Sequence, residues 1–588
     1  MCGIAGFLGE YPPRNFLENA NLIQSSRGPD GRGIKRSDFG GLAHTRLALF
    51  DLSELGSQPQ SNGSLHISYN GEIYNWREIK AELVAKGAVF RSDSDTEVLL
   101  TSIAIQGLEP TLKKLRGIFA FALYDDVNHE VTLVRDRFGT KPIYFSFVNG
   151  TLLFASTINA LQINLEIDKE SLHEYLTLQN TIPPRTLYKN VSILPPGKIL
   201  KFKREDCQPT ILEWANLKTK ETIEITLEDA VTEVDKLLTQ SVERNLRADV
   251  PVGTFLSGGI DSGLINIIAS KLQSDMNSYT IGFDEKRETL NYADESKTAK
   301  KLADEIGIMN FAYKLSETDM WESMHSLAVA LEEPKVGQSY PNFFASKIAV
   351  SKNKAVLAGT GGDEFFGGYV WRYTVGRDLK FATKTDQISE LAKLWHRLVP
   401  SENLARIVGL NLKQHEEKTA QKIETVLEEN NSGLERYTLR DLMYFDTRIF
   451  LPGLLHVEDK ISMSMGLEVR VPFLDDDIVD FSLTLPENLL IDTRNPEEIK
   501  GKYVLRELMS KYQKGTPTGK KQGFSGPDEI WFKNPKQVSR FINENSKIWE
   551  FINRENTLAE LEQHYRGNSN RRLLIWSLIQ LEITIRSI

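Results

Sequence analysis

The stretch "GTFLSGGIDSG", residues 253–263, decides the fold of the larger part of the chain. The apolar run at its start predicts a strand, and the apolar spacing after it predicts a helix, with glycines and serines forming the turn. The surrounding sequence continues this alternation of helices and strands to about residue 375. Such alternation predicts a doubly wound parallel sheet, an α/β domain. Beyond that residue the pattern predicts a mainly helical extension.

The turn has the composition of a nucleotide-binding loop. Glycines let the backbone approach a phosphate closely, and a helix N-terminus presents unpaired N–H groups. The lysine of a Walker A loop is missing, and the alternative is a glycine-rich turn that only starts a helix. A second block, "VLAGTGGDEFFGGY" at 356–369, follows another predicted strand. Its Asp363 and the Asp261 of the first turn are hard oxygen ligands of the kind that Mg²⁺ prefers.

The first 205 residues have a different sequence pattern, which predicts strands joined by short turns with a few helices between them. The segment "YFSFVNGTLLFAS" at 144–156 predicts a hairpin, because Asn-Gly favours a type I′ turn. These features predict an α+β domain with antiparallel sheets and packed helices. We therefore predict two domains, at 1–205 and 226–588, joined by the polar segment 206–225 as a linker.

The composition narrows the class of protein. A net charge of −9 over 588 residues argues against general electrostatic binding of nucleic acid. Two cysteines cannot form a disulfide framework, so we expect a reducing, cytoplasmic location, and Cys207 has no assigned role. No signal peptide is visible and no stretch of 18 uncharged apolar residues occurs, which predicts no membrane partner.

The chain begins "MCGIAGF", which places a cysteine at position 2. Removal of the initiator methionine would make Cys2 the first residue, and its free α-amine, with a pKa of about 7.7–8.0, could then act as the base for its own thiol. Taken alone, an incidental cysteine is the simpler interpretation. Three motifs follow it in the chain: "HTRLALFD" at 44–51, "SYNGEIYN" at 68–75 and "RSDSDTEVLL" at 91–100.

Each of these motifs also has an ordinary structural interpretation. Arg46 could be a surface charge at a strand edge, and Asn70 with Gly71 could form a hairpin turn. Asp95 could be a helix cap. Together with Cys2, however, the motifs resemble in order and spacing the glutaminase domain of class II glutamine amidotransferases. The segments "RGPDG" at 27–31 and "RDRFGTKPIYF" at 135–145 also match that family.

This resemblance implies an Ntn-hydrolase-like αββα sandwich in which Cys2 attacks the side-chain amide of glutamine. It implies that Arg46 binds the α-carboxylate of glutamine through a two-pronged contact, and that Asp95 and Glu72 hold its α-ammonium. The Asn70 side-chain amide and the Gly71 N–H would stabilise the oxyanion of the thioester intermediate.

The C-terminal part resembles ATP pyrophosphatases and, through "KISMSMGLEVRVPFLD" at 460–475 and "KKQGFSGPDEIWF" at 520–532, the glutamine-hydrolysing asparagine synthetase family. The resemblance implies ATP and Mg²⁺ as cofactors, with Asp261 and Asp363 as metal ligands and Lys521 facing the pyrophosphate. Adenine would lie against the backbone near Ile281. The implied ATP-binding residues are Leu256, Ser257, Gly258, Gly259, Asp261, Ser262, Ile281, Ala358 and Gly359.

Two positions depart from the family pattern. Thr360 stands where many members carry Glu or Asp, and Gly519 stands where an Arg often precedes the lysine block. The first departure leaves the catalytic role of Thr360 and the identity of the acceptor carboxylate open.

The implied activity is conversion of aspartate to asparagine, with glutamine and ATP as the other substrates and with AMP and pyrophosphate released. Two alternatives remain: the same chemistry on another carboxylate, such as a uronic acid of a surface polysaccharide or a natural-product precursor, and an inactive nitrogen sensor. A homodimer is a compatible assembly, and the oligomeric state stays open.

Overall fold

The structure is a computed structural model that describes residues 2–284, 295–335, 337, 339–377, 383–430, 433–495, 497–513 and 526–588. The N-terminal strands are β1 (Gly3–Leu8), β2 (Gly31–Arg36), β3 (Gly40–Arg46), β4 (Gln60–Asn62), β5 (Leu65–Ile73), β6 (Gly117–Asp125), β7 (Glu130–Arg135), β8 (Tyr144–Val148), β9 (Thr151–Ala155), β10 (Ser192–Ile193), β11 (Lys198–Lys203) and β12 (Thr210–Glu213). The helices between them are α1 (Phe16–Ile23), α2 (Trp76–Ala85), α3 (Asp95–Gln106), α4 (Leu108–Lys114) and α5 (Lys169–Leu178).

These elements form the predicted αββα sandwich. One antiparallel sheet has the strand order β10-β8-β9-β1-β3-β2, and the other has the order β12-β11-β7-β6-β5-β4. Apolar side chains from both sheets fill the space between them, while α1 packs on β1 and β3 and α3 packs on β5. The predicted hairpin is confirmed, since β8 and β9 pair around Asn149 and Gly150, whose φ angles of 51° and 74° fit a type I′ turn.

The C-terminal strands are β13 (Val252–Phe255), β14 (Asn277–Phe283), β15 (Met309–Leu315), β16 (Ala355–Leu357), β17 (Glu468–Arg470), β18 (Ile491–Asp492) and β19 (Lys500–Gly501). The helices are α6 (Leu227–Leu246), α7 (Ile260–Leu272), α8 (Ser296–Ile306), α9 (Glu317–Leu331), α10 (Tyr340–Ala349), α11 (Gly362–Phe365), α12 (Val370–Arg377), α13 (Lys384–Trp395), α14 (Ser401–Ile407), α15 (Leu412–Glu428), α16 (Leu439–Ile449), α17 (Leu451–Met463), α18 (Asp476–Ser482), α19 (Glu487–Leu490), α20 (Tyr503–Tyr512), α21 (Asp528–Trp531), α22 (Pro535–Val538), α23 (Arg554–Tyr565) and α24 (Arg572–Arg586). Short 3-10 helices occur at Glu54–Gly56, Asn159–Leu161, Pro472–Leu474 and Lys547–Glu550.

The main C-terminal sheet is parallel throughout, in the order β15-β14-β13-β16-β17, as the sequence pattern predicts. The chain adds β14 and β15 on one side of β13, and later β16 and β17 on the other side. The strand order therefore reverses between β13 and β16. In open α/β sheets, ligands bind outside the carboxyl ends of the strands at such a point.

Two differences from the sequence prediction concern short strands. The extension beyond residue 375 is mainly helical, but it also supplies β17 to the parallel sheet. The segment 206–225 contains β12, which pairs with β11 and extends the N-terminal sheet to Glu213. Within the described residues, none of the helices is both long enough and apolar enough to cross a membrane.

Candidate active sites

Cys2 lies at the start of β1 and is buried, with 6% of its surface exposed. Its N–H donates to Asn70 Oδ1 at 3.0 Å, and its carbonyl accepts from Arg27 Nε at 3.2 Å. The residue is thus fixed from both sides. The nitrogen that would become the α-amine on removal of Met1 is held by the same side chain that the sequence assigns to the oxyanion site.

The environment of the Cys2 thiol disfavours the thiolate. Burial raises the pKa of the Cys2 thiol to about 11, although the amino-terminal charge and a hydrogen bond from the Leu47 backbone act in the opposite direction. A thiol with this pKa is almost entirely protonated at neutral pH. Nucleophilic attack therefore requires an adjacent base, which is the role that an α-amine performs in N-terminal nucleophile enzymes.

Asn70 and Gly71 lie inside β5, so the hairpin-turn alternative for this dipeptide is wrong. Asn70 is fully buried, and its Nδ2 has no hydrogen-bond partner within the described part of the chain. A buried amide donor is costly to leave unsatisfied, which indicates that a ligand oxygen completes it. A Cβ added at Gly71 would lie 2.1 Å from the Ile118 carbonyl oxygen, so only glycine fits there.

The Gly71 N–H points to the same side of β5 as the N–H groups two residues before and after it, because strand residues alternate in direction. The Tyr69 N–H donates to Gln58 Oε1 at 2.7 Å, and the Ile73 N–H donates to Asp95 Oδ2 at 3.0 Å. From Tyr69 to Ile73, side chains rather than a neighbouring strand thus cover this side of β5. The Gly71 N–H therefore faces the edge that Gln58 and Asp95 line.

Asp95 is the first residue of α3, but it is not the cap of that helix. The Ser94 side chain accepts from the Thr96 N–H and performs the capping. Asp95 instead turns inward, where it accepts from the Tyr69 hydroxyl at 2.8 Å as well as from Ile73. Burial raises the pKa of the Asp95 carboxyl to about 6.

Glu72 is the second buried carboxylate of this region. Burial, and then repulsion by Glu468 and Asp95, raise the pKa of Glu72 well above its usual range. The nearest cation is Arg470, whose Nη2 lies 3.8 Å from Glu72 Oε2 and which is bound by Glu468. Glu72 and Asp95 are thus buried carboxylates whose negative charge is not fully balanced by nearby cations. Such an environment favours a positively charged group of a ligand.

Arg46 is half-buried at the end of β3 and is not a freely exposed charge. Its Nη1 donates to the Ser53 carbonyl at 2.8 Å, and its Nη2 donates to the carbonyls of Phe50 and Asp51. These contacts hold the loop after β3 and fix the guanidinium. Because a guanidinium has five donors, the remaining ones can still serve a ligand carboxylate.

Sequence reasoning missed the connection between this site and the C-terminal domain. Arg27, within the "RGPDG" motif, binds the Cys2 carbonyl and makes a two-pronged ion pair with Asp459 on α17, at 2.8 and 3.3 Å. In the second motif, Arg137 binds Asp476 and Asp480. Both motifs therefore dock the two domains. The partners lie hundreds of residues away, and no local pattern identifies them.

A second site forms where the chain leaves β13 and β16. Ser257 and Ser262 close the first loop through a hydroxyl–hydroxyl hydrogen bond of 2.9 Å. A Cβ added at Gly359, in the second loop, would lie 3.0 Å from both the Asp261 Cβ and the Ser262 nitrogen. The two glycine-containing loops thus touch at Asp261, at the reversal point of the sheet.

Lys502 brings the two predicted metal ligands together. Its Nζ contacts Asp261 Oδ2 and lies 2.8 Å from Asp363 Oδ1. Although burial acts in the opposite direction, the two carboxylates raise the pKa of the Lys502 ammonium, which stays charged. The sequence assigned the lysine role to Lys521, which lies outside the described residues. The only sequence signal for Lys502 is its place in the stretch 500–521, which is rich in lysine and arginine, and such a stretch typically forms a solvated surface.

The carboxylate pair fits the requirements of Mg²⁺ bound to a nucleotide. No cluster of three or more acidic, histidine or cysteine side chains that could hold a metal occurs in the ranges that the structure describes. Mg²⁺ is typically held by one or two carboxylates plus substrate phosphates, so Asp261 and Asp363 are sufficient. The structure thus brings both predicted ligands to one point.

The other predicted nucleotide residues surround this point to different degrees. The two loops bring together Leu256, Ser257, Gly258, Gly259, Ser262, Ala358 and Gly359. Leu256 and Ala358 are buried, whereas Gly258 and Gly259 are partly exposed. Ile281 lies inside β14, where its side chain belongs to a buried apolar cluster. Cys207 is exposed and unpaired with any other cysteine.

Thr360 lies in the loop after β16, next to the Asp261–Asp363 pair. Its hydroxyl donates to Glu458 Oε1 on α17. A carboxylate is therefore present at this position of the site, although it comes from another segment of the chain.

A small cavity of about 20 Å³ lies at the domain interface. The N-terminal domain lines it with Arg135 and Thr181, and the C-terminal domain lines it with Asp459 and Lys460. The cavity therefore adjoins the Arg27–Asp459 pair.

Comparison with known proteins finds a family match in each of the two domains. Residues 233–586 match the asparagine synthase family, and residues 1–213 match the glutamine amidotransferase domain family. The chain is 30% identical to asparagine synthetase (glutamine-hydrolyzing) 1 of Bacillus subtilis strain 168, over 98% of this chain and 95% of that protein. It is 29% identical to asparagine synthetase (glutamine-hydrolyzing) 3 of the same strain, over 83% and 81% of the two chains.

A relative with a different name is also similar over most of its length. The chain is 27% identical to the amidase chry2 of Gibberella zeae, over 92% of each chain. The family matches nevertheless cover both domains. The chain therefore belongs to the asparagine synthase family, as a glutamine-dependent amide ligase that uses ATP and carries an N-terminal glutamine amidotransferase domain.

Proposed function

We propose that the chain makes asparagine from aspartate, ATP and glutamine. Cys2 attacks the amide carbon of glutamine, and its proton passes to the α-amine freed by removal of Met1. The Asn70 amide and the Gly71 N–H bind the resulting oxyanion, while Arg46, Glu72 and Asp95 hold the α-carboxylate and α-ammonium of glutamine. Ammonia leaves, and water hydrolyses the thioester to glutamate.

In the second domain, the side-chain carboxylate of aspartate attacks the α-phosphorus of ATP and pyrophosphate leaves. Lys502 stabilises the negative charge of the phosphates, and Mg²⁺ held by Asp261 and Asp363 would supply further neutralisation. Ammonia then displaces AMP from the acyl-adenylate. Because ammonia in water is mostly protonated and unreactive, an enclosed route between the domains is required.

The observation that carries this proposal is the buried connection between the two sites. The Cys2 carbonyl is bound by Arg27, Arg27 is bound by Asp459, and the adjacent Glu458 contacts Thr360 beside the Asp261–Asp363 pair. A thiol site that releases ammonia and a nucleotide site that consumes it are thus joined through a few contacts.

Aspartate is supported as the acceptor by the two Bacillus relatives that are named asparagine synthetases. A second candidate is the same chemistry on a different carboxylate. It is favoured by Thr360, which stands where many family members carry an acid, and by the similarity to the amidase chry2.

The test is incubation with ATP, glutamine and aspartate, followed by measurement of AMP, pyrophosphate and asparagine. We expect the three products in equal amounts. Parallel reactions replace aspartate with uronic acids. AMP release with a uronic acid but none with aspartate would assign the second function, and glutamate release alone would leave only a glutaminase.

The Cys2→Ala variant separates the two half-reactions. We expect it to lose glutamine-dependent amide formation and to retain the ammonia-dependent reaction, because the nucleotide site is intact. The exposed Cys207 provides the matched control, and Cys207→Ala should keep both reactions. Loss of the ammonia-dependent reaction in Cys2→Ala would contradict the division of labour between the domains.

A further inference from the structure

The helix α17 carries three consecutive charged residues that point to three different places. Asp459 binds Arg27, and Lys460 binds Glu332. Glu458 accepts a hydrogen bond from the Thr360 hydroxyl. Consecutive helical residues differ by about 100° in direction around the helix axis. Asp459 therefore reaches the N-terminal domain, Lys460 the domain interface and Glu458 the nucleotide site. Glu458 is the acid that faces the nucleotide site.

Glu458 differs from Glu364, the acid whose charge acts on it, in having an available oxygen. Glu364 uses both of its oxygens, which accept from the Gly361 N–H at 3.1 Å and the Tyr369 hydroxyl at 2.6 Å. Asp363 is bound by Lys502. The Glu458 Oε2 atom is buried and has no hydrogen-bond partner within the described ranges. A buried carboxylate oxygen without a donor is costly, which indicates that a substrate group completes it.

Amide formation from an acyl-adenylate needs a proton acceptor at this place. When ammonia adds to the acyl carbon, a C–N bond forms, the carbonyl electron pair moves to oxygen, and the nitrogen becomes positively charged. As the C–O bond to AMP breaks, with its electrons remaining on AMP, the nitrogen must lose a proton to give the neutral amide. A base that takes this proton prevents the adduct from expelling ammonia and returning to the adenylate.

We propose that Glu458 is the general base of this step and takes the proton from the nitrogen on its Oε2 atom. The proposal rests on the proposed function, since it assumes an acyl-adenylate beside Thr360. Position 360, in the loop after β16, has no carboxylate, and under this proposal Glu458 of α17 supplies one. The proton later passes from Glu458 to water, which restores the carboxylate.

The environment of Glu458 suits this task. Burial raises the pKa of Glu458 to about 7, with repulsion by Glu364 adding to the effect and the Thr360 hydrogen bond and Lys141 opposing it. A general base is most effective when its pKa lies near the working pH. Glu458 also lies close to the source of ammonia in the network of contacts. The neighbouring Asp459 binds Arg27, and Arg27 binds the carbonyl of Cys2, the proposed nucleophile that releases ammonia from glutamine.

The test compares two rates in the Glu458→Gln variant, with full-length protein, ATP, Mg²⁺ and ammonium. Ammonia-dependent amide formation should fall by at least about 100-fold, the usual contribution of a general base. Aspartate-dependent exchange of labelled pyrophosphate into ATP, which reports only the adenylate, should stay near the wild-type rate. Glutamine hydrolysis in the same preparation reports that the variant has folded.

Three further measurements sharpen the result. With hydroxylamine in place of ammonia the defect should shrink, because the hydroxylamine adduct is more acidic and can lose its proton to water. Glu417→Gln removes the same charge from an exposed helix position, with 66% of the side chain accessible, and should keep all rates. The double variant Thr360→Glu/Glu458→Gln removes the carboxylate from position 458 and introduces one at position 360, which contacts it. This variant should recover part of the lost rate.

Several outcomes would overturn the proposal. Amide formation near the wild-type rate in Glu458→Gln is one, and a parallel loss of pyrophosphate exchange is another. If Glu458→Gln also loses glutaminase activity, the double variant decides, and absence of any recovery counts against Glu458. If the wild type shows no exchange with aspartate, the proposed acceptor is wrong, and the same comparison is made with the uronic acid that supports exchange.

Discussion

At the scale of single residues, the thiol site places Asp95 where its charge is unfavourable. The unfolded carboxyl has a pKa of 3.8, and burial raises the folded pKa to about 6. The folded state therefore prefers the neutral acid, and stability is lost as the pH rises from 3.8 through 6. Above that interval the ionised carboxylate costs about 3 kcal/mol, less whatever a bound ammonium restores.

The Asp95→Asn variant tests this account. At neutral pH it should have a larger free energy of unfolding than the wild type, measured by urea denaturation, and the difference should shrink as the pH is lowered from 6 to 3.8. The variant should also bind glutamine more weakly, seen as a higher KM in the glutaminase assay. Lower stability of the variant at neutral pH would show that Asp95 is compensated without a ligand.

At the scale of secondary-structure elements, apolar periodicity in the sequence predicts those helices and strands that bury one apolar face. The segment "LEDAVTEVDKLLTQSVERNL" predicts a helix, and α6 spans Leu227–Leu246, the same residues. The strand β17 has no such pattern, because its buried Glu468 and Arg470 neutralise each other inside the sheet. A short strand made of a paired acid and base is visible only after the pairing is known.

The same limit applies to the sites. Cys2, Asn70 and Asp95 lie in local motifs. In the structure Cys2 binds Asn70, and Asp95 binds Ile73, three residues further along the same strand. Lys502 and Glu458 could not be assigned, because their meaning comes from contacts with Asp261 and Thr360 in other segments. Thr360 remains a departure from the family pattern that the resemblance implies, and the sequence could not show that Glu458 stands next to it.

Gly359, in the loop after β16, packs directly against the loop after β13. Gly359→Ala adds a Cβ that would meet Asp261 and Ser262 at 3.0 Å, so the two nucleotide loops must separate. Such overpacking costs about 1–3 kcal/mol, which corresponds to a roughly ten- to hundredfold rise in the KM for ATP in pyrophosphate exchange. Glutamine hydrolysis should be unaffected. An unchanged KM for ATP would contradict the placement of the nucleotide between these loops.

At the scale of the whole molecule, charged contacts hold the domains in a fixed relation. Arg27 and Asp459 are both almost fully buried, with 4% and 3% of their side chains exposed. Loss of Asp459 leaves the Arg27 charge buried without its carboxylate and also removes a partner from the buried Lys141, 3.7 Å away, and breaking a buried pair typically costs about 3–5 kcal/mol. Because Arg27 also binds the Cys2 carbonyl, the pair links the stability of the interface to the position of the nucleophile.

Asp459→Ala should therefore lower the free energy of unfolding by about 3–5 kcal/mol and also reduce glutamine hydrolysis, although Asp459 lies in the other domain. As a control, Asp304→Ala breaks the exposed Lys300–Asp304 pair and should cost no more than about 1 kcal/mol. The double variant Arg27→Met/Asp459→Ala should be less destabilised than the sum of its single variants, because the Arg27 charge is removed together with its carboxylate partner and only Lys141, 3.7 Å from Asp459, loses a partner. Additive effects in this cycle, or wild-type glutaminase activity in Asp459→Ala, would mean that the thiol site is positioned without the C-terminal domain.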